Sequence, residues 1–333
     1  MRMDDVQRTG QRLGRETYGV VTSAELAAAG VDPSVVSRLV SSGRWTRLWR
    51  GSYLTADHPP GPAVLAQSAV KHAEQAPGRR GPAPLPVVSG LAGARALGMR
   101  WVPPGDRVQV LVGPHVQRPS NEHVLVRRTA DLADVVPWQW HGVRVADASR
   151  IVIDGARECA SLRDVRGLLL GAVADGHAEA AALTRLLDHG AVGRTAWARR
   201  AVQDAVRGAA SPPEAELVDD LVGGGLPFYV NATVTVRGQL VGIIDVYLVG
   251  TGVGGEMDSK ERHGDAELLD DTLARHGHAD AHGLSLMHVT PSRYRADPAA
   301  FHARLRAAVT ARRRRGHGEP EGLVVTPRGP LLP

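Results

Sequence analysis

Aromatic residues, cysteine and lysine are all scarce in this chain of 333 residues. Phe, Trp and Tyr together reach only 4%, with 2 Phe among them, so its cores must be built from Val, Leu, Ala and Gly. The single cysteine, Cys159, excludes an internal disulfide and any Cys-based zinc finger. It lies in an apolar stretch, which predicts a buried, inert thiol. Lysine is nearly absent, and arginine carries the basic charge. No run of about 18 apolar residues occurs, so no membrane span is expected. Met-Arg-Met-Asp-Asp at the start has no apolar signal region, and a cytoplasmic protein is expected. The net charge of +5 and a pI near 9.8 favour a polyanionic partner such as nucleic acid.

Apolar residues make up 43%, and the length suits two or three domains of about 150 residues. The pattern predicts an α/β, multidomain chain. Residues 1–56 form its first unit. Ser23-Ala-Glu-Leu-Ala-Ala-Ala-Gly30 reads as a capped helix ending at glycine. Pro33 to Gly43 reads as a second helix, with Val35, Val36, Leu39 and Val40 as its apolar stripe. Arg44 to Leu54 then reads as two short strands around a turn. Helix, turn, helix and basic hairpin make a winged helix. Residues 33–56 hold four arginines and no acid, which places a positive face on the second helix and the wing.

Residues 57–209 read as a middle α+β and helical connecting region. Helices are expected at 63–75, 88–98, 147–158, 162–174, 179–187 and 194–206. Strands are expected near 107–113, 123–128 and 143–145. Arg127 and Arg128 are best read as solvated basic side chains.

Residues 210–315 carry the chemistry. Ser211-Pro-Pro-Glu214 opens a capped helix that stops at Gly223-Gly-Gly-Leu-Pro227. Two strands follow, 229–236 and 240–249, the second holding Asp245 among Ile243, Ile244, Val246, Leu248 and Val249. A buried acid is costly unless a cation or donor meets it. A glycine-rich turn brings the chain back to Glu256, which is expected to open a third strand, with Asp258 and Lys260 on the same face. This arrangement offers carboxylates for a divalent cation and one ammonium for a developing phosphate charge. A helix at 267–276, a strand at 284–290 and a helix at 298–313 complete the order αβββαβα. The His276-Gly-His278-Ala-Asp280-Ala-His282 run is better read as a solvated helix end, broken by Gly277, than as a metal cluster. Residues 316–333, rich in Gly, Pro and His, are expected to be a disordered tail.

Two family resemblances rest on these residues. Gly19-Val-Val-Thr, Gly30-Val, Ser41-Ser-Gly43-Arg44 and Arg50-Gly51-Ser-Tyr53 resemble the N-terminal winged-helix domain of AbiEi-type antitoxins. That resemblance implies DNA binding, with the second helix in the major groove. Ser34, Ser37, Arg38, Arg44, Arg47 and Arg50 would be the DNA-facing residues, and a cognate toxin or a homodimer would be a partner. Pro213-Glu214-Ala-Glu216-Leu217, Gly225-Leu-Pro227, Asp245 and Glu256-Met-Asp258-Ser259-Lys260 resemble the very-short-patch-repair-like endonucleases of the PD-(D/E)XK superfamily. That resemblance implies an αβββαβ core in which Asp245 and Glu256 hold Mg²⁺ or Mn²⁺. Lys260 would orient the attacking water, Glu214 would position a second metal or a water, and Asp258 would be a ligand or a partner of Lys260. Ser259 replaces the family's usual glycine, and His288 stands where a basic residue is frequent. The alternative implied is a non-catalytic DNA-binding regulator on a degenerate nuclease fold.

Overall fold

The computed structural model describes residues 2–74, 85–133, 135–189, 193–258, 275 and 277–333. They divide into two compact units, Met1–Ala198 and Arg199–Pro333.

The first unit opens with α1 (Met3–Leu13), β1 (Val20–Thr22), α2 (Ser23–Ala28), α3 (Pro33–Ser41), β2 (Thr46–Trp49) and β3 (Ser52–Leu54). The strands form an antiparallel sheet in the order β1-β3-β2. Local sequence accounts for the helix starts. Thr22 Oγ1 accepts from the Glu25 backbone N–H, and the Glu25 carboxylate accepts from Thr22 N at 2.7 Å, a reciprocal cap. Asp32 accepts from Ser34 N at 2.7 Å, and Pro33 occupies the first turn of α3. Gly30 and Gly43, both at φ +73°, supply the left-handed residue beyond each helix.

Helix α1 was not anticipated. Its buried face contains a glycine, Gly10, beside Val6, so the apolar stripe is sparse. That glycine lets α1 lie directly on Trp45: a Cβ there would fall 2.4 Å from the indole ring. Helix α4 (Pro62–Ala73) packs on this sheet, and its Lys71 ammonium donates to Glu25 at 2.8 Å and to the Val20 carbonyl at 2.7 Å.

The rest of the unit is a five-stranded mixed sheet in the order β6-β5-β4-β8-β7. Its strands are β4 (Val87–Ser89), β5 (Val108–Val112), β6 (Val124–Arg128), β7 (Trp138–Trp140) and β8 (Val143–Val145). Helices α5 (Gly90–Ala96), α6 (Ala148–Ala156), α7 (Leu162–Ala174) and α8 (Ala180–His189) accompany it. The helix expected at 88–98 divides, because Gly90, at φ +64°, turns the chain between β4 and α5. A Cβ at Gly90 would collide with the Glu158 carboxylate, which accepts from Leu91 N at 3.0 Å. Burial pushes the Glu158 pKa up to about 7. Cys159 is buried and inert as expected, since burial raises its thiol pKa to about 12.

The second unit gains most of α9 (Ala196–Val206), so it begins earlier than the expected boundary at 209/210. Arg200 of α9 pairs with Asp219 of α10 (Pro212–Leu221) and explains the shift. The sheet order is β12-β11-β10-β9-β13. Strands β9 (Phe228–Val236), β10 (Gln239–Leu248) and β11 (Val253–Met257) form an antiparallel meander, and β12 (Ser285–Val289) lies parallel to β11. Helices α11 (Pro291–Ala296) and α12 (Pro298–Arg314) follow, and Phe301, Leu305 and Val309 of α12 join the core.

Several expectations are corrected in this unit. Strand β10 is not buried throughout: Ile244, Val246 and Leu248 are in the core, whereas Ile243 is 59% exposed. Glu256 lies near the end of β11 rather than at its start. Residues 316–333 are not a disordered tail. Strand β13 (Leu323–Thr326) pairs antiparallel with β9, and Leu332 exchanges backbone hydrogen bonds with Phe228. Glu319 accepts from the Tyr247 hydroxyl at 2.8 Å and from Gly250 N at 2.7 Å. The β-branched Val-Val-Thr run was masked by its Gly/Pro surroundings, and the pairing covers an edge of the sheet. Residues 277–281 are helical despite Gly277. Lys260 and Ser259 lie outside the described residues, as does the expected 267–276 helix apart from Arg275.

Candidate functional site

The antiparallel register pairs Val246 with Gly255, so Asp245 and Glu256, one residue further on, are cross-strand neighbours. Asp245 Oδ2 accepts from Met257 N at 2.7 Å, which fixes the carboxylate against β11. Glu256 is 7% exposed. Its Oε2 lies 3.5 Å from an Arg275 guanidinium nitrogen and 3.3 Å from His288 Nε2. His288 is its neighbour in the parallel β11–β12 register.

The electrostatics of the two acids agree. Burial raises the pKa of Asp245, and the charge of Glu214 pushes the same way, with a smaller push from Glu256. The Met257 N–H and Arg275 oppose them. Burial also raises the pKa of Glu256, against the pull of Arg275 and with the repulsion of Asp258. Two desolvated carboxyls side by side cost free energy that a cation would offset.

Glu214, in the first turn of α10, has structural work as well. It accepts from Ser211 Oγ at 2.7 Å, Ala210 N at 2.8 Å and Asn231 Nδ2 at 2.6 Å. Asn231 holds a left-handed φ of +46° inside β9, a conformation that asparagine tolerates better than most residues. Sequence reasoning missed Asn231 because it occupies an ordinary outward position of an alternating strand. It missed Arg275 because nothing in the local pattern ties that arginine to an acid 19 positions earlier.

Asp258 lies just beyond β11, its N–H donating to the Val289 carbonyl at 2.9 Å. With His288, Arg293 and Arg304 it lines a groove of about 410 Å³. Among the described residues, no three His, Cys, Asp or Glu side chains gather closely enough to hold a metal ion by themselves. His278 and His282 are used locally. His278 Nε2 meets the Leu240 carbonyl at 3.1 Å, and His282 Nε2 meets Gln239 Oε1 at 3.0 Å.

In the first unit, Ser34, Ser37 and Arg38 are exposed together on α3, and Arg44, Arg47 and Arg50 are exposed around β2. Arg44 reaches Asp4 of α1 at 3.1 Å, so part of its charge is answered within the protein. Arg47 stands 5.9 Å over the Tyr53 ring.

Comparison with known proteins bears on the first unit. Residues 12–56 match the family described as transcriptional regulator, AbiEi antitoxin. A solved structure, that of the RV2827C protein from Mycobacterium tuberculosis, is 20% identical, with a TM-score of 0.42. The match covers 65% of this chain and 80% of that one, and a likeness this low carries no argument about function. No curated protein matches the chain. Among the described residues, no helix is long and apolar enough to cross a membrane. Over residues 12–56 the chain therefore carries an AbiEi antitoxin-like, transcriptional-regulator-type domain.

Proposed function

We propose that the chain docks on DNA through a winged helix in residues 1–56 and cleaves phosphodiesters with a PD-(D/E)XK-like domain in its second unit. The docking half is supported by the family match, by the order α1-β1-α2-α3-β2-β3 and by the cluster of exposed arginines. Arg38 would face the major groove from α3, with Arg47 and Arg50 on backbone phosphates. Arg38→Ala is expected to weaken duplex binding and relax its sequence preference, and Arg47→Ala to weaken binding and reduce the salt slope by about 1. Fluorescence anisotropy at several salt concentrations reads affinity and slope. Unchanged affinity in both variants, with an unchanged slope in Arg47→Ala, would place DNA elsewhere.

The cleavage half is carried by one observation, the convergence of Asp245 and Glu256 on adjacent strands. Their oxygens suit Mg²⁺, which commonly takes one or two protein carboxylates and completes its shell with water. The ion bound there would polarise the scissile phosphate and acidify an attacking water. The protein's own residues do the rest. Met257 N–H orients Asp245, Asn231 and Ser211 hold Glu214, and Arg293 and Arg304 give the neighbouring groove a positive lining suited to phosphates. Lys260 keeps the role that the resemblance implies.

A second reading, a regulator without cleavage, is favoured by the contacts of Glu256 with Arg275 and His288, in which the protein supplies its own cations. Glu256→Gln separates the two. Under the proposal, Mg²⁺-dependent DNA nicking falls on the order of 10²–10³-fold while duplex affinity is kept. Nicking that persists in Glu256→Gln would sink the assignment.

A further inference from the structure

An arginine-rich cavity in the first unit is lined by none of the proposed DNA-facing residues of α3 and β2. Its volume is about 730 Å³, within the range of small-molecule sites. One face of α6 forms a wall: Arg150, Ile153, Asp154 and Arg157 follow the helical repeat. Arg127 and Arg128 enter from the end of β6. Leu186 and His189 come from α8, and Arg194 from the turn beyond it.

The acids in this cavity are already committed. Asp154, fully buried, accepts from Arg150 Nε at 2.9 Å, Arg157 at 3.0 Å and Ser89 Oγ at 2.8 Å. Asp131 accepts from Arg150 at 2.8 Å. Arg127 and Arg128 instead meet neutral acceptors, Gln109 Oε1 at 2.7 Å and the Val116 carbonyl at 2.8 Å. Burial lowers the pKa of Arg127, and the charges of Arg157 and Arg194 push the same way, against the pull of Asp154 and Glu158. The cavity thus gathers five guanidiniums, those of Arg127, Arg128, Arg150, Arg157 and Arg194, around Asp131 and Asp154, with Glu158 also close to Arg127.

We propose that this cavity binds a small phosphorylated anion, with Arg127 and Arg194 gripping the phosphate oxygens and Ile153 and Leu186 offering apolar surface to the rest of the molecule. Guanidinium groups suit phosphate because they donate two parallel hydrogen bonds to its oxygens. The walls from β6, α6 and α8 make the site concave, which fits a small ligand better than a rod of duplex DNA. Its position in the unit that carries the AbiEi-like domain makes such a ligand a candidate effector of that domain.

Isothermal titration of the full chain with pyrophosphate, and with inorganic phosphate for comparison, tests this. Saturable binding is expected, tighter for pyrophosphate. Arg127→Gln and Arg194→Gln are each expected to weaken it by about tenfold or more. Arg194 is exposed, so that variant keeps the fold even if Arg127→Gln does not. The proposal is overturned by the absence of saturable pyrophosphate binding, or by affinity unchanged in a folded Arg194→Gln. It is equally overturned if these arginines prove to matter for duplex DNA binding and not for pyrophosphate.

Discussion

Asp245→Asn is expected to make the second unit more stable than wild type at neutral pH, by about 0.5–2 kcal/mol, while abolishing metal-dependent cleavage. Asparagine keeps an oxygen to accept from Met257 N and removes the charge that burial and Glu214 both oppose. The sign follows from linkage. The folded pKa values of Asp245 and Glu256 are raised above their unfolded ones. Their contribution to stability is therefore full below the ordinary carboxylate range and is lost as pH rises through the raised values. Wild type should lose stability over that rise, and Asp245→Asn should lose less. Mg²⁺ should restore stability to wild type and not to the variant, since only a ligand of the folded state stabilises. Urea unfolding from pH 4 to 8, with and without Mg²⁺, reads all three effects. A variant less stable than wild type throughout would mean that Arg275 and His288 already compensate the acids as a structural ion cluster.

Trp45→Ala should cost about 3–5 kcal/mol and remove duplex binding with it. Trp45 is 2% exposed and fills the space between α1 and the small sheet. Its Nε1–H donates to Gln7 at 2.7 Å, its ring abuts Gly10, and it lies 6.3 Å from the Tyr53 ring. Alanine would open a cavity at the one place where α1 touches the core without a side chain of its own. In a domain this small, a loss of that size is a large share of total stability. Thermal unfolding followed by circular dichroism measures it. A shift equivalent to less than about 1 kcal/mol would show that α1 packs elsewhere.

Much of this architecture could be read from the chain, and the reasons are local. α3, α10 and α12 carry their own signals in Asp32-Pro33, Ser211-Pro-Pro-Glu214 and Asp297-Pro298, where a capping side chain precedes a proline in the first turn. Strand β9 alternates buried and half-buried positions along its whole length. Other elements depend on partners distant in sequence. α1 exists because Gly10 meets Trp45, and β13 exists because β9 offers it an edge. The pairing of Asp245 with Glu256 was legible, because a hairpin between two acids brings them back together. The clamp of Asn231 on Glu214 and the approach of Arg275 to Glu256 were not, since each joins residues on separate elements. The arginine cavity shows the same limit. Arg127 looked like solvated charge until α6 and α8 supplied the cavity's other walls, whereas Arg128 is exposed as expected.

The central claim is cleavage, and nicking of supercoiled plasmid in Mg²⁺ or Mn²⁺ tests it most directly, with wild type beside Asp245→Ala. The account predicts metal-dependent conversion to open circles by wild type and none by the variant, at equal DNA affinity. Salt-sensitive DNA binding by wild type with no nicking in either metal would contradict it and leave a regulator that keeps the paired acids without the reaction.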